Sequence, residues 1–242
     1  MLGEIRNQQG ERIDYTLHQG APDSKNIVVL GHGVTGNKDR PFVVALAEGL
    51  EKAGLNALRI SFSGNGTSEG KFTDSNITKE VADLGAVLDA LAGWNIGYIG
   101  HSMGGAVGVI RTSSDDRIKL LVSLAGMVTT KAFAEREFGM VTPGQGNMWD
   151  DEACPLSQAY MDDLRQLDNL VDRATSIKVP WLLVHGTEDD VVFPQDSLDI
   201  FAKANQPASL LQIKGANHVF TGEHTAQMVE AVTAWVKASQ SS

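Results

Sequence analysis

Ile96-Gly97-Tyr98-Ile99-Gly100-His101-Ser102-Met103-Gly104-Gly105-Ala106 is the stretch from which the rest of the chain is best read. An apolar run leads into a serine, and small residues carry the chain on into a segment able to form a helix. Gly100 and Gly104 stand two residues to either side of Ser102, in the pattern G-x-S-x-G. That pattern suits a strand turning sharply into a helix. The serine backbone is strained there, and strand and helix come so close that a larger flanking side chain would clash. The turn lifts the hydroxyl above the sheet edge and aims the first N–H groups of the helix toward it. The pattern recurs at Gly66-Thr67-Ser68-Glu69-Gly70, without the context. A strand has already ended near Phe62, and no helix starts after Gly70, so this second match reads as a loop.

Working outward, the chain alternates. Residues 4–18 suggest two strands around a turn at Gln9-Gly10. Ile27-Val28-Val29-Leu30 is a short apolar run ending at Gly31-His32-Gly33, as a buried parallel strand would. Residues 41–52 place Phe42, Leu46 and Leu50 on one helical face, with Pro41 suited to the first turn and Gly54 to the stop. A strand over 56–62, a polar Gly-rich loop to 75 and an amphipathic helix over 77–91 follow. After the Ser102 helix come strands at 119–124, 180–185 and 208–213, and helices at 195–204 and 223–238. Such alternation predicts one α/β domain over 1–242, a mostly parallel sheet with helices on both faces. Residues 127–176 break the rhythm. They are too long and too apolar for a plain connection, so we expect a small, mostly helical cap insertion over the sheet edge.

Composition narrows the function. A hydrophobic share of 42% over 242 residues is enough for one sizeable core. The net charge of −10 argues against nucleic acid or anionic membranes as partners, since both need basic surfaces. No apolar run approaches the ~18 residues of a membrane span. The first residues show no apolar leader segment, so a cytoplasmic location is the expectation. Cys154 is the single cysteine, which rules out an intrachain disulfide and a cysteine metal cluster. Gly31-His-Gly-Val-Thr-Gly36 has the spacing of a phosphate loop, but Asn37 displaces Lys38 and Asp39 stands where Ser or Thr is needed. His32, His101 and His185 lack the spacing of paired metal ligands.

A serine hydroxyl needs a base, and the base needs an orienting acid. In a parallel sheet these gather at the carboxyl ends of the strands. Three carboxylates follow the strand ending at His185-Gly186: Glu188, Asp189 and Asp190. Asp189 is the preferred acid by register, with Asp190 its rival and a solvated, helix-capping turn the bland alternative. Of six histidines, His218 lies in the loop between the last strand and the last helix, in the chain order Ser…Asp…His. We expect His32 and His185 to serve backbone or turn roles, and His101 to point away from the elbow. An oxyanion needs two backbone donors. Met103 N–H should be one, and the Gly31–Gly36 loop should give the other, with Val34 the best candidate and its side chain facing the acyl pocket.

With Gly-His-Ser102-Met-Gly-Gly, His-Gly-Thr-Glu-Asp189-Asp-Val-Val and Gly-Ala-Asn-His218-Val-Phe in place, the chain resembles the α/β-hydrolase superfamily over essentially its whole length. The loops His32-Gly-Val-Thr-Gly-Asn-Lys and Gly64-Asn-Gly-Thr-Ser-Glu-Gly look most like small carboxylesterases of the cinnamoyl/feruloyl esterase kind. Those enzymes commonly carry an aromatic residue where Val34 stands. The resemblance implies acyl transfer to water without a cofactor, and it makes residues 127–176 the cap that shapes the pocket. A small or medium neutral ester is the expected partner, because the cap is acidic and would repel anions if its carboxylates lined the entrance. The same triad also serves thioesters, amides, small peptides or carbon–carbon bonds. A binding protein without turnover is the alternative from outside enzymology. Ser102 in place of a carboxylate nucleophile disfavours a dehalogenase.

Overall fold

The computed structural model describes residues 2–240. Its centre is an eight-stranded sheet in the order β1-β2-β4-β3-β5-β6-β7-β8. The strands are β1 (Ile5–Arg6), β2 (Arg12–His18), β3 (Asn26–Gly31), β4 (Asn56–Ser61), β5 (Asn95–His101), β6 (Ile118–Leu124), β7 (Trp181–Gly186) and β8 (Ala208–Ile213). Only the pairings that β2 makes, with β1 and β4, are antiparallel. From β4 to β8 every pairing is parallel, as buried apolar strands joined by helices require.

The helices are α1 (Pro41–Lys52), α2 (Ile77–Ala90), α3 (Met103–Thr112), α4 (Thr130–Phe138), α5 (Gln158–Leu167), α6 (Pro194–Phe201) and α7 (Glu223–Gln240). Strand periodicity divides the core in two. Val28 and Leu30 of β3 face α1 and α7, with Leu46, Leu50, Met228 and Val232. Ile27 and Val29 face the other way, toward Leu84 and Leu88 of α2 and Val107 of α3. Residues 127–176 carry α4, α5 and two 3-10 turns. Their helix α5 packs against α2 and α4, and Phe133, Phe138, Tyr160 and Leu164 join the core cluster on the α2 side of the sheet. The Asp196 carboxylate of α6 pins the start of this segment, accepting from Val128 N–H at 2.7 Å and Thr129 N–H at 3.0 Å. Among the described residues no helix is long and apolar enough to cross a membrane.

The second G-x-S-x-G is structural. Ser68 Oγ donates to Ser61 O at 2.7 Å and accepts from Asp14 N–H at 2.8 Å, tying the loop to β2 and β4. At the first match glycine is required by contact. A Cβ on Gly100 would lie 2.1 Å from Gly104 O, and one on Gly104 would lie 2.5 Å from His32 O. Neither oxygen belongs to a side chain that can swing away. Gly104→Ala should therefore destabilise the protein by about 1–3 kcal/mol. Gly3→Ala, whose Cβ meets nothing within 4 Å, should stay within about 0.5 kcal/mol of wild type. Urea unfolding midpoints compare the two, and equal midpoints would refute the close approach.

Candidate active site

Ser102 sits between β5 and α3 with φ 53° and ψ −118°, a strained conformation for a residue with a Cβ. Its surroundings hold it there. Ser102 N–H donates to Leu124 O at 2.9 Å, and Ser102 O accepts from Met127 N–H at 3.0 Å, so the end of β6 clamps the turn. Met103 is the first residue of α3, where helical N–H groups have no partner within the helix. Across from Ser102 runs the loop after β3. A Cβ on Gly33 would lie 2.8 Å from Ser102 Cβ, so this loop lies directly against the serine. Thr35, at φ 56°, bends it.

Of the three carboxylates after β7, Asp189 is buried, while Glu188 and Asp190 are exposed. Asp189 Oδ1 accepts from Val191 N–H at 3.0 Å and Val192 N–H at 2.9 Å. Its Oδ2 accepts from His218 Nδ1–H at 2.8 Å. Burial works against its charge, but the hydrogen bonds from His185 and His218 and the Val192 amide prevail, holding the carboxyl well below the usual range. Donation from Nδ1 leaves His218 Nε2 as an acceptor. His218 belongs to the turn after β8, shaped by left-handed backbone at Gly215 and Phe220.

Two histidines do more than we expected of them. His185 Nε2 lies 3.1 Å from Asp189 Oδ2 and 2.9 Å from Val192 O, so it carries the proton, and Nδ1 faces Ser197 Oγ at 2.7 Å. Beside the backbone role expected of it, at Val192 O, it is a second hydrogen-bond partner of the Asp189 carboxylate. The sequence hides this because the contact runs from a strand end to a loop that curls back over it. His101 also does not simply point away. Its Nε2–H donates to His218 O at 2.9 Å, and its ring lies 4.7 Å from the His218 ring. His32 does have a backbone role, donating from Nδ1 to Gly33 O at 2.8 Å and accepting Phe62 N–H at Nε2, 3.0 Å away.

Burial, opposed by the Gly33 carbonyl, holds His32 down to about 4. Burial, reinforced by the neighbouring His218, holds His101 down to about 3. Both rings regain the ordinary value near 6.5 on unfolding, so the unfolded chain binds more protons below that pH. Stability should thus be level against these groups above pH 6.5 and fall below it, by up to about 1.4 kcal/mol per pH unit for each ring, with the His32 share ending near pH 4. Urea titrations from pH 7 to 4 measure this; stability that does not decline would contradict buried neutral rings.

Ser102, His218 and Val34 line one cavity of about 300 Å³. Phe42, Val191, Val219 and Trp149 supply apolar wall, and Arg40, His32 and His101 complete much of the rest. Trp149 is the single lining residue from 127–176. It reaches the cavity because Trp149 and Asp150 both adopt left-handed backbone, at φ 48° and 59°. Trp149 Nε1–H donates to Glu137 at 2.9 Å, and its ring packs 4.9 Å from Phe138. The acidic side chains of this segment do not line the cavity.

Solved structures share the architecture. Est1E from Butyrivibrio proteoclasticus, in a complex with ferulic acid, superimposes with a TM-score of 0.84 at 22% identity, covering 99% of this chain and 100% of that one. Mouse alpha/beta hydrolase domain-containing protein 10 gives 0.79 at 16% identity, over 98% and 99%. These likenesses establish the α/β-hydrolase fold. Human alpha/beta hydrolase domain-containing protein 17B is 23% identical over 218 residues, which are 88% of this chain and 67% of that protein. The sequence profile of the prolyl oligopeptidase family matches residues 52–241, well over half of the chain. That stretch holds Ser102, Asp189 and His218 in the turns and loops after the parallel strands β5, β7 and β8, and the chain belongs to the prolyl oligopeptidase family.

Proposed function

We propose that this protein is a serine hydrolase that cleaves carboxylic esters. One observation carries the reading: a buried carboxylate fixes the His218 ring through Nδ1 at 2.8 Å, and that ring shares one small cavity with a strained serine. Ser102 Oγ attacks the ester carbonyl carbon as His218 Nε2 takes its proton. The oxyanion is met by Met103 N–H and Val34 N–H. His218 then hands the proton to the leaving alkoxide, which departs as an alcohol and leaves an acyl-enzyme. Water attacks that ester with His218 again as base, and the acid leaves as Ser102 recovers its proton. No cofactor enters these steps. Residues 127–176 act as a cap, contributing Trp149 to the wall.

A cavity of about 300 Å³ favours short acyl chains. The ferulic acid in Est1E makes hydroxycinnamate esters the next candidates. The family match favours a second reading, in which the same residues cleave a small peptide. Initial rates on p-nitrophenyl esters of rising acyl length, beside a prolyl p-nitroanilide, separate the two. Ester hydrolysis strongest at short chains supports the first. Turnover of the anilide alone supports the second and overturns the first.

A further inference from the structure

Among the described residues the cavity has one permanently charged wall residue, Arg40, and no carboxylate among its lining side chains. Arg40 immediately precedes α1. Its Nη2 donates to Thr35 O at 2.8 Å, which aims the guanidinium along the loop opposite Ser102 and leaves its other N–H groups uncommitted to that contact. Among the described residues no carboxylate lies within ion-pair distance of it. The acids nearby are engaged elsewhere. Asp39 pairs with Lys38 at 2.8 Å and with Arg59 at 2.7 Å. Glu137 pairs with Arg136 at 2.8 Å and accepts from Trp149.

Arg40 is exposed, and in a protein of net charge −10 it keeps no ion-pair partner among the described residues. At the wall of a mostly apolar cavity its planar N–H fork suits an oxyanion. One guanidinium carries one charge, part of whose hydrogen-bonding capacity Thr35 O already takes, so a monoanion matches it better than a phosphate dianion. We infer that Arg40 recognises a terminal carboxylate on the substrate, and that the preferred substrates are half-esters of short dicarboxylic acids, with one end esterified near Ser102 and the other end free and held by Arg40.

This inference rests on the ester-hydrolase reading above for its chemistry, but not for its binding site. It also replaces the neutral substrate expected from the acidic cap, since the cap carboxylates lie off the cavity wall. The bland alternative is that Arg40 only braces the loop through Thr35. Bracing would affect charged and neutral substrates alike, whereas recognition changes their ratio.

The test has a binding arm and a kinetic arm. Calorimetry on the Ser102→Ala protein compares monomethyl with dimethyl glutarate. The half-ester should bind about tenfold more tightly, less so at high salt, and Arg40→Gln added to Ser102→Ala should erase the difference. The kinetic arm compares kcat/KM for mono-p-nitrophenyl succinate, glutarate and adipate with that for p-nitrophenyl pentanoate. The best half-ester should lead by a similar factor, Arg40→Gln should abolish the lead mainly through KM, and Arg40→Lys should restore part of it. Equal binding of the two glutarates, or a carboxylate preference that survives Arg40→Gln, overturns the inference. Loss of all hydrolysis with the binding preference intact would instead overturn the ester reading alone.

Discussion

Ser102→Ala should lower kcat on the best p-nitrophenyl ester by about 10⁵-fold or more, leaving the slow background that binding and oxyanion donors alone provide. The reason is chemical: alanine keeps the Ser102 backbone against the Gly33 loop but has no hydroxyl to attack the ester carbonyl. The fold should survive, because the clamps on this turn are made by backbone atoms, Ser102 N–H to Leu124 O and Met127 N–H to Ser102 O. Alanine carries the same Cβ and so the same strain at φ 53°. Ser102→Gly sharpens the result. Glycine relieves the positive φ, so this variant should be equally inactive yet more stable than Ser102→Ala by up to about 1–2 kcal/mol. A fluorophosphonate probe should label wild type on Ser102 and neither variant. Undiminished ester hydrolysis by a well-folded Ser102→Ala protein would remove Ser102 from the mechanism.

The parts of the molecule that were legible in the sequence are those specified locally. Apolar runs bounded by Gly, and the stripe of Leu84 and Leu88 on α2, declare the alternating strands and helices, because burial on both sheet faces leaves no other arrangement for them. Ser102 declares its turn through Gly100 and Gly104, since only glycine meets the contacts there. The proposed roles of Asp189 and His218 were readable from chain order and strand ends, although Asp189 and Asp190 differ by one position and a burial that composition does not encode. What stayed hidden depends on loops folding back. His185 reaches Asp189 only because residues 189–192 curl over the end of β7. Trp149 enters the cavity through two successive left-handed residues in a segment whose pattern announces only helix and aromatic content. Arg40 looks like an ordinary charge before a helix until the Thr35 contact aims it.

Asp189→Asn should reduce kcat by about 10⁴-fold, while Asp190→Asn should cost no more than a few-fold. Four donors converge on the Asp189 carboxylate: Val191 N–H, Val192 N–H, His185 Nε2–H and His218 Nδ1–H. A carboxylate accepts all four. An asparagine has one oxygen, so its NH₂ must face two of these donors. If the NH₂ faces the backbone amides, two buried donors lose their acceptor, at about 1–3 kcal/mol of stability. If it faces the imidazoles, His218 must accept at Nδ1 and carry its proton on Nε2. That is the tautomer unable to take the Ser102 proton. Either arrangement does damage, and the two are separable: the first appears as lower stability with part of the rate retained, the second as a rate loss with the fold intact. The depressed Asp189 carboxyl adds a pH signature. Its ionised form contributes stability above the ordinary carboxylate range, and that contribution is lost as acid carries the pH down toward its own lower value. Asp189→Asn should therefore be less sensitive than wild type to acid below about pH 4. Asp190 is exposed, so its variant should follow wild type in rate. A large rate loss in Asp190→Asn with Asp189→Asn near wild type would move the acid one residue along the chain and break the proposed link from carboxylate through His218 to Ser102.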